Sequence, residues 1–361
     1  MTRREQQILR WIEENPMISQ QELAERAGIT RSSVAVHIAN LMKKGLIAGR
    51  GYILAAETYA AVVGAVNVDV GGIAGEDLVY ADSNPGRVRK SLGGVGRNIA
   101  HNMALLGLDT RLITAFGDDS NAREIAASCA VLGIDVSQSL RIAGAATSSY
   151  LFIADQNGEM ALAVSDMDIY RHMTPEALVS RLPTLNNAKA VVLDANLPED
   201  TIRWLCRNVE TPVFADPVST VKAEKLRQVL GALHTLKPNK LEAEILSGVE
   251  ITDERSLHTA ADRLLEAGVE QLFISLGPRG VLAADRQRRY LLPSRAERIV
   301  NTTGCGDAFT AGLVWAFFQG LDLGESAEAG LAAASVAMEA AGTINPELNR
   351  KILVRRMENR A

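Results

Sequence analysis

The sequence predicts an α/β protein, a doubly wound sheet with a small β lid, preceded by a short, basic, mostly helical module. Three observations carry that prediction. From residue 58 onward, short apolar runs alternate with long helical patterns, the signature of a sheet covered by helices on both faces. Two further runs flank Gln156-Asn157-Gly158, and Asn-Gly between alternating strands is a strong hairpin signal. The first fifty-five residues hold eight Lys/Arg and five Asp/Glu in a chain whose net charge is −5. A basic module therefore precedes an acidic body.

Within the module, Ile8, Leu9, Trp11 and Ile12 share one helix face, and Pro16 closes that segment. Ser19 with Glu22 forms a capping box that opens a helix through Arg26. Gly28 supplies a turn, and Thr30 caps a third helix that turns Val34, Ile38 and Leu41 inward. Gly45 ends it, and Leu46-Ile47 and Tyr52-Ile53-Leu54 flank Ala48-Gly49-Arg50-Gly51 as a small wing. Residues 1–56 thus resemble a winged helix-turn-helix DNA-binding domain. The resemblance implies DNA as a partner, with Arg31, Ser32, Ser33, Ala35 and His37 facing the major groove and Lys43, Lys44 and Arg50 meeting phosphates. From Arg26 to Ala56 there are five basic residues and no acid, which favours DNA over a module that contacts only protein.

In the body, residues 57–361, Tyr59–Val66, Arg111–Ala115, Ala190–Leu193, Val213–Ala215 and Gln271–Leu276 read as buried strands. Polar residues follow four of them, at Asn67 and Asp69, Asp194 and Asn196, Asp216, and Gly277, and a fifth such place is Lys237 to Asn239. Ligands of doubly wound sheets bind beyond the carboxyl ends of the strands, so these positions outline a cleft. Residues 70–90 read as loop-rich, and Ser148–Ala154 with Met160–Val164 as a hairpin. Segments of about 68–90 and 147–166 are accordingly expected to form the lid and a homodimer contact.

Apolar content of 47% and charged content of 22% describe a globular chain. No apolar run approaches the ~18 residues of a membrane span, so no membrane partner is expected. Cys129, Cys206 and Cys305 lack metal-ligand spacing, which speaks against zinc or a disulfide framework and for a reducing, cytoplasmic setting.

The chemistry is concentrated in Asn301-Thr302-Thr303-Gly304-Cys305-Gly306-Asp307, just before an Ala-rich helical pattern from Ala308 to Phe318. Small residues at a helix N-terminus leave its N–H groups and the positive end of its dipole open to an anion such as a transferring phosphate. Asp307 would sit beside that phosphate, placed to take a proton from an attacking hydroxyl; taken in isolation, the same residues also read as a turn with an aspartate cap. Gly93-Gly94-Val95-Gly96-Arg97-Asn98 precedes another helix. Tandem glycines allow close backbone approach to a ligand, and Asn98 can bond a hydroxyl. This segment is neither a Walker A loop nor Gly-x-Gly-x-x-Gly.

Taken together, Gly93-Gly94-x-x-x-Asn98 and Thr303-Gly304-Cys305-Gly306-Asp307 resemble the two signatures of the PfkB carbohydrate kinases. The resemblance covers about residues 58–345 and implies a ribokinase-like fold. It implies that Asn67 and Asp69, with Gly93, Gly94 and Asn98, hold sugar hydroxyls, and that Asp307 is the base beside an anion hole at Gly304, Cys305 and Gly306. Asn239-Lys240-Leu241-Glu242 matches the family's Asn-x-x-Glu element for Mg²⁺ and phosphates, while Ser275, Gly277, Gly280 and Thr303 fall at ATP-binding positions. Within the family, Tyr80–Gly86, Gly93–Ala100, Phe214–Ser219 and His234–Asn239 are similar to stretches of pseudouridine kinases. ATP and Mg²⁺ are thus expected, with transfer to the 5′-hydroxyl of a ribosyl acceptor; ribose, inosine or uridine kinase, and a regulator using the kinase body as a sensor, are the alternatives. Two departures stand out. Cys305 replaces the usual alanine, and a thiol at a helix N-terminus is expected to be acidified. Asn301 replaces the aspartate of cation-activated relatives, which leaves potassium activation open.

Overall fold

The computed structural model describes residues 1–47, 58–296 and 298–358. The chain divides into two compact units, Met1–Glu57 and Thr58–Ala361. The first contains α1 (Arg3–Glu14), α2 (Gln20–Ala27) and α3 (Arg31–Lys43). Thr2 with Glu5 and Ser19 with Glu22 form reciprocal capping boxes, and Thr30 accepts from the Ser33 amide. These caps satisfy amides that each helix start would otherwise leave unpaired. Ile8, Ile12, Leu23, Val34, Ile38 and Leu41 meet in one core. Of the expected wing, Leu46 to Leu54, all but Leu46 and Ile47 lies outside the described residues, Arg50 included.

The second unit opens with β1 (Tyr59–Val63), β2 (Asn67–Ala74), β3 (Gly86–Gly93), α4 (Val95–Leu105), β4 (Asp109–Ile113), β5 (Ala115–Phe116) and α5 (Ser120–Val131). There follow β6 (Leu140–Arg141), β7 (Ser149–Ala154), β8 (Met160–Asp166), α6 (Pro175–Leu178), α7 (Leu182–Asn186), β9 (Ala190–Asp194), α8 (Glu199–Asn208), β10 (Val213–Asp216) and α9 (Thr220–Ala223). The chain continues through β11 (Thr235–Leu236), α10 (Lys240–Ser247), α11 (Glu254–Glu266), β12 (Gln271–Ser275), β13 (Val281–Ala284) and β14 (Arg289–Leu292). It closes with α12 (Cys305–Gln319), α13 (Leu323–Met338) and α14 (Arg350–Glu358).

The main sheet has the order β14-β13-β12-β11-β10-β9-β1-β4. Its strands from β12 to β4 are parallel, and β13 and β14 run antiparallel at one edge. Successive strand residues feed two separate cores. Ala61, Val63, Val191 and Leu193 pack with Ile202 and Leu257 on one face. Ala60, Val62, Val192 and Phe214 pack with Ile99, Val314 and Val336 on the other. Burial on both faces is why these strands read as unbroken apolar runs. Helices α12 and α13 touch almost backbone to backbone: a Cβ on Gly312 would lie 2.6 Å from the Ala329 carbonyl oxygen, and one on Gly330 would lie 2.6 Å from the Phe309 ring.

A second sheet, β3-β2-β7-β8, forms the expected small β layer. The hairpin of β7 and β8 is antiparallel, with a register shift between Ile153 and Ala154, and its turn is closed by Gly158 N–H donating to the Asp155 carbonyl at 3.0 Å. The expectation of a loop-rich 70–90 holds for 75–85 and is corrected at both ends. β2 and β3 pair from Asn67↔Gly93 to Ala74↔Gly86. Gly71-Gly72 and the charged run Arg87 to Lys90 hide the alternation in sequence, because strand pairing draws on a partner that local pattern does not reveal. β1 also ends at Val63, three residues short of the run that announced it.

Candidate active site

β12, β11, β10, β9 and β1 are neighbours in the sheet, so their polar carboxyl ends line one continuous edge. Above it stands the start of α12. Gly304 caps that helix at φ +84 with no side-chain cap, and Asp307 is the third helical residue. The aspartate is therefore not the cap, and the helix begins three residues earlier than its apolar pattern. A side chain at residue 304 would be strained at that φ and would lie 2.2 Å from the Thr343 carbonyl oxygen.

Asp307 is buried, and its Oδ2 accepts from Asn98 Nδ2 at 2.8 Å. Burial pushes its carboxyl up to about 8, and the charge of Asp216 adds to this, while the Asn98 bond and Lys237 oppose it. Lys237 lies 3.0 Å from Asp216 Oδ2, and Thr310 Oγ1 donates to the same oxygen at 3.2 Å. Burial works against the Lys237 charge, yet Asp216, Glu242 and Asp307 hold its ammonium above the ordinary range. At the end of β9, Asp194 accepts from the amides of Ala65 at 2.7 Å and Asn196 at 2.9 Å. Burial raises this carboxyl too. Asp194, Asp216 and Lys237 are legible in sequence only as strand-end residues along the cleft, with no role attached, and Thr310 carries no sequence signal.

At the start of β2, Asn67 Nδ2 donates to Asp69 Oδ1 at 2.6 Å, and Ser148 Oγ donates to Asn67 Oδ1 at 2.7 Å. Gly93 lies against Asp69: a Cβ there would come within 2.2 Å of Oδ2. Gly94 is the N-cap of α4, at φ +93. The alternation of β2 puts Asn67, Asp69 and Gly71 on one face of the small sheet, and the register places Tyr150 beside Asp69 and Phe152 beside Gly71. The Phe152 ring covers Gly71, whose Cβ would meet it at 2.3 Å, and the Tyr150 and Phe152 centroids are 6.0 Å apart. Val88, Leu151, Leu162 and Val164 are exposed, and the same alternation puts them on the opposite face.

Along the main sheet, Asn239 bridges to Ser275. Asn239 and Glu242 cap α10 reciprocally: Glu242 Oε2 accepts from the Asn239 amide at 2.8 Å, and Asn239 Oδ1 accepts from the Glu242 amide at 2.9 Å. No cluster of three or more His, Cys, Asp or Glu suited to a metal occurs among the described residues. A cavity of about 250 Å³ opens beside the start of α12, lined by Ser275, Gly277, Gly280, Cys305 and Gly306 and walled by α13. Thr303 is exposed, and its amide donates to Asn301 Oδ1 at 2.9 Å. Asn301 Nδ2 reaches the Ala341 carbonyl at 3.1 Å. The expectation of an acidified Cys305 is reversed. Burial and the Asp307 charge push the thiol up to about 11, against the helix dipole.

In the first unit, Arg31, Ser32 and Lys43 are exposed and Ser33 is half-buried. His37 is half-buried as well, and its Nδ1 is buried without a partner. Lys44 is committed elsewhere: its ammonium lies 2.6 Å from the buried Glu5 carboxylate.

Residues 57–350 match the model of the pfkB family carbohydrate kinases. The chain belongs to that family. This pfkB kinase is 39% identical over 351 residues to the uncharacterized sugar kinase YeiI of Escherichia coli, covering 97% of each chain. It is 37% identical over 304 residues to the pseudouridine kinase of Escherichia coli, covering 83% of this chain and 97% of the relative. A ribokinase from Arabidopsis thaliana superposes with a TM-score of 0.75 over 83% of this chain and 99% of its own; at 21% identity that likeness shows the ribokinase fold. Residues 1–48 match the winged helix-turn-helix DNA-binding family. Such kinases are phosphotransferases with a hydroxyl acceptor. Among the described residues no helix is long and apolar enough to cross a membrane.

Proposed function

We propose that this pfkB kinase transfers the γ-phosphoryl group of ATP to the 5′-hydroxyl of pseudouridine. The observation that carries the reading is Asp307, a buried carboxyl at the uncapped start of α12 that accepts a hydrogen bond from Asn98. Asn67, Asp69, Gly93, Gly94 and Asn98 would hold the ribosyl hydroxyls and leave the 5′-oxygen facing Asp307. The hydroxyl proton passes to Asp307 as the O5′–P bond forms and the bond from Pγ to the bridging oxygen of ADP breaks. Amides of Gly304, Cys305 and Gly306 with the Lys237 ammonium would stabilise charge on the transferring group. ATP would lie along Ser275, Gly277, Gly280 and Thr303, its base in the cavity beside α13. Mg²⁺ usually takes one or two carboxylates with phosphates and water. Glu242, whose capping bond engages Oε2, and Asn239 fit that role, and the ion would neutralise the phosphates.

Two observations support pseudouridine over a free sugar: the identity to a pseudouridine kinase over 304 residues, and the Tyr150–Phe152 pair beside Asp69, where a planar base can stack. The test is ATP consumption with pseudouridine, uridine, inosine and ribose. Turnover of pseudouridine at the highest kcat/KM supports the reading. Turnover of another acceptor with pseudouridine inert sinks the substrate and keeps the transfer.

Residues 1–48 support a second, separate role in binding DNA through Arg31, Ser32, Ser33, His37, Lys43 and Arg50, in a protein confined to the cytoplasm. The exposed apolar face of the small sheet supports a homodimer; a monomeric mass in sedimentation would exclude it.

A further inference from the structure

Arg97 lies in α4 beside Asn98 and is 4% exposed. A buried guanidinium normally has a carboxylate against it. Among the described residues Arg97 has none within ion-pair distance. Nη1 donates to the Leu92 carbonyl at 3.0 Å, Nη2 donates to Ser128 Oγ at 2.9 Å, and Nε is buried without a partner. Leu92 immediately precedes Gly93, against which the Asp69 carboxylate rests. The cation therefore stands behind the one acidic side chain of the acceptor subsite.

We propose that Arg97 is a positioning residue: it keeps Asp69 ionised as a hydrogen-bond acceptor for the acceptor's hydroxyls and anchors the Leu92–Gly94 turn beneath them. The inference rests on the reading of Asp69 given above and adds a residue to it. Burial raises the Asp69 carboxyl, while the Asn67 bond and the Arg97 charge lower it. The other groups around Arg97 supply no competing anion. Cys129 on α5 is buried and its thiol is pushed up. His101, one turn along α4, is held neutral, down to about 4, by burial and by Arg97 itself. Glu124 on α5 is taken by Lys90 of β3 in an exposed pair.

The test is a double-mutant cycle of Arg97→Met and Asp69→Asn, read as KM for pseudouridine, KM for ATP, kcat and the pH dependence of kcat/KM. Arg97→Met is expected to raise the pseudouridine KM about 10-fold or more and to move to higher pH the acid limb that Asp69 adds to kcat/KM below the separate limb of Asp307, because a carboxyl that loses a neighbouring cation holds its proton longer. KM for ATP should change less than threefold. In the Asp69→Asn background the same substitution should add little. Additive effects, or an unmoved acid limb in a folded Arg97→Met enzyme, overturn the proposal. If Arg97→Met does not fold, Arg97→Lys enters the same cycle; it should leave the limb within about half a unit of wild type while raising KM, and a limb moved as far as charge loss would move it overturns the proposal. Wild-type enzyme inert toward pseudouridine refutes the substrate reading alone, and the cycle is then read on ribose.

Discussion

Replacing Asp307 by Asn should make the enzyme nearly inactive and more stable. The amide carbonyl can still accept from Asn98 Nδ2, so the 2.8 Å bond survives. The ionisable group does not. The native carboxyl sits at about 8 against an ordinary 3.8, so between those values the folded state holds a proton that the unfolded chain releases. Stability contributed at this residue therefore falls as pH rises through that window and levels off above about pH 8. At ~1.4 kcal/mol per unit the full difference is roughly 6 kcal/mol. Asp216 and Lys237 share the same field, so about 2–3 kcal/mol is a fair share for Asp307. For a unit spanning Thr58–Ala361, at ~2 cal/mol/K of unfolding entropy per residue, that is a rise in Tm of roughly 3–5 °C. The gain should be smallest near pH 4 and largest near pH 8, by thermal unfolding at several pH values. Turnover should fall by roughly 10²–10⁴. Wild-type turnover, or a Tm gain that shrinks as pH rises, would refute the assignment of a buried, proton-holding base.

Wild-type kcat/KM should climb with pH through about 8 as Asp307 ionises, and that limb should vanish in the Asn variant. Gly306→Ala should keep the fold and lower kcat on the order of 10², because its Cβ would lie 2.9 Å from Lys237 Nζ and displace the ammonium; unchanged kcat would remove Lys237 from the anion hole. Phe152→Ala should raise KM for pseudouridine by roughly 5- to 100-fold, the value of one stacked base, and leave ribose unaffected; equal losses on both would make Phe152 only a lid-packing residue. Lys43→Ala should reduce the slope of log affinity for duplex DNA against log salt by about 1, and a wild-type protein with no salt-sensitive binding would exclude the DNA role.

Much of the site was legible because its residues act where local chemistry is decisive. Gly304 to Asp307 announce an open helix start, whereas Asn239 and Glu242 entered only through the family resemblance, their capping of α10 emerging with the structure. Polar residues after apolar runs marked the strand ends correctly. What escaped was whatever depends on strands distant in sequence. Lys237 meets Asp216 because β11 lies beside β10, and Asn98 meets Asp307 across 209 residues. The pairing of β2 with β3 was hidden because Gly71-Gly72 and a run of basic residues blur the period of two. Cys305 was misjudged because the dipole at its helix end is local, whereas its burial and the nearby Asp307 charge belong to the folded molecule.

The contact of α12 with α13 through Gly312 and Gly330 has a consequence for how such a kinase can diversify. One helix begins at the proposed base, Asp307, and the other walls the cavity proposed for the nucleotide. Packed this closely, they move as one body, so the geometry between phosphate donor and base is inherited whole. Accommodation of a new acceptor then falls to the small sheet, whose inner side chains can be exchanged one at a time without retuning the transfer machinery.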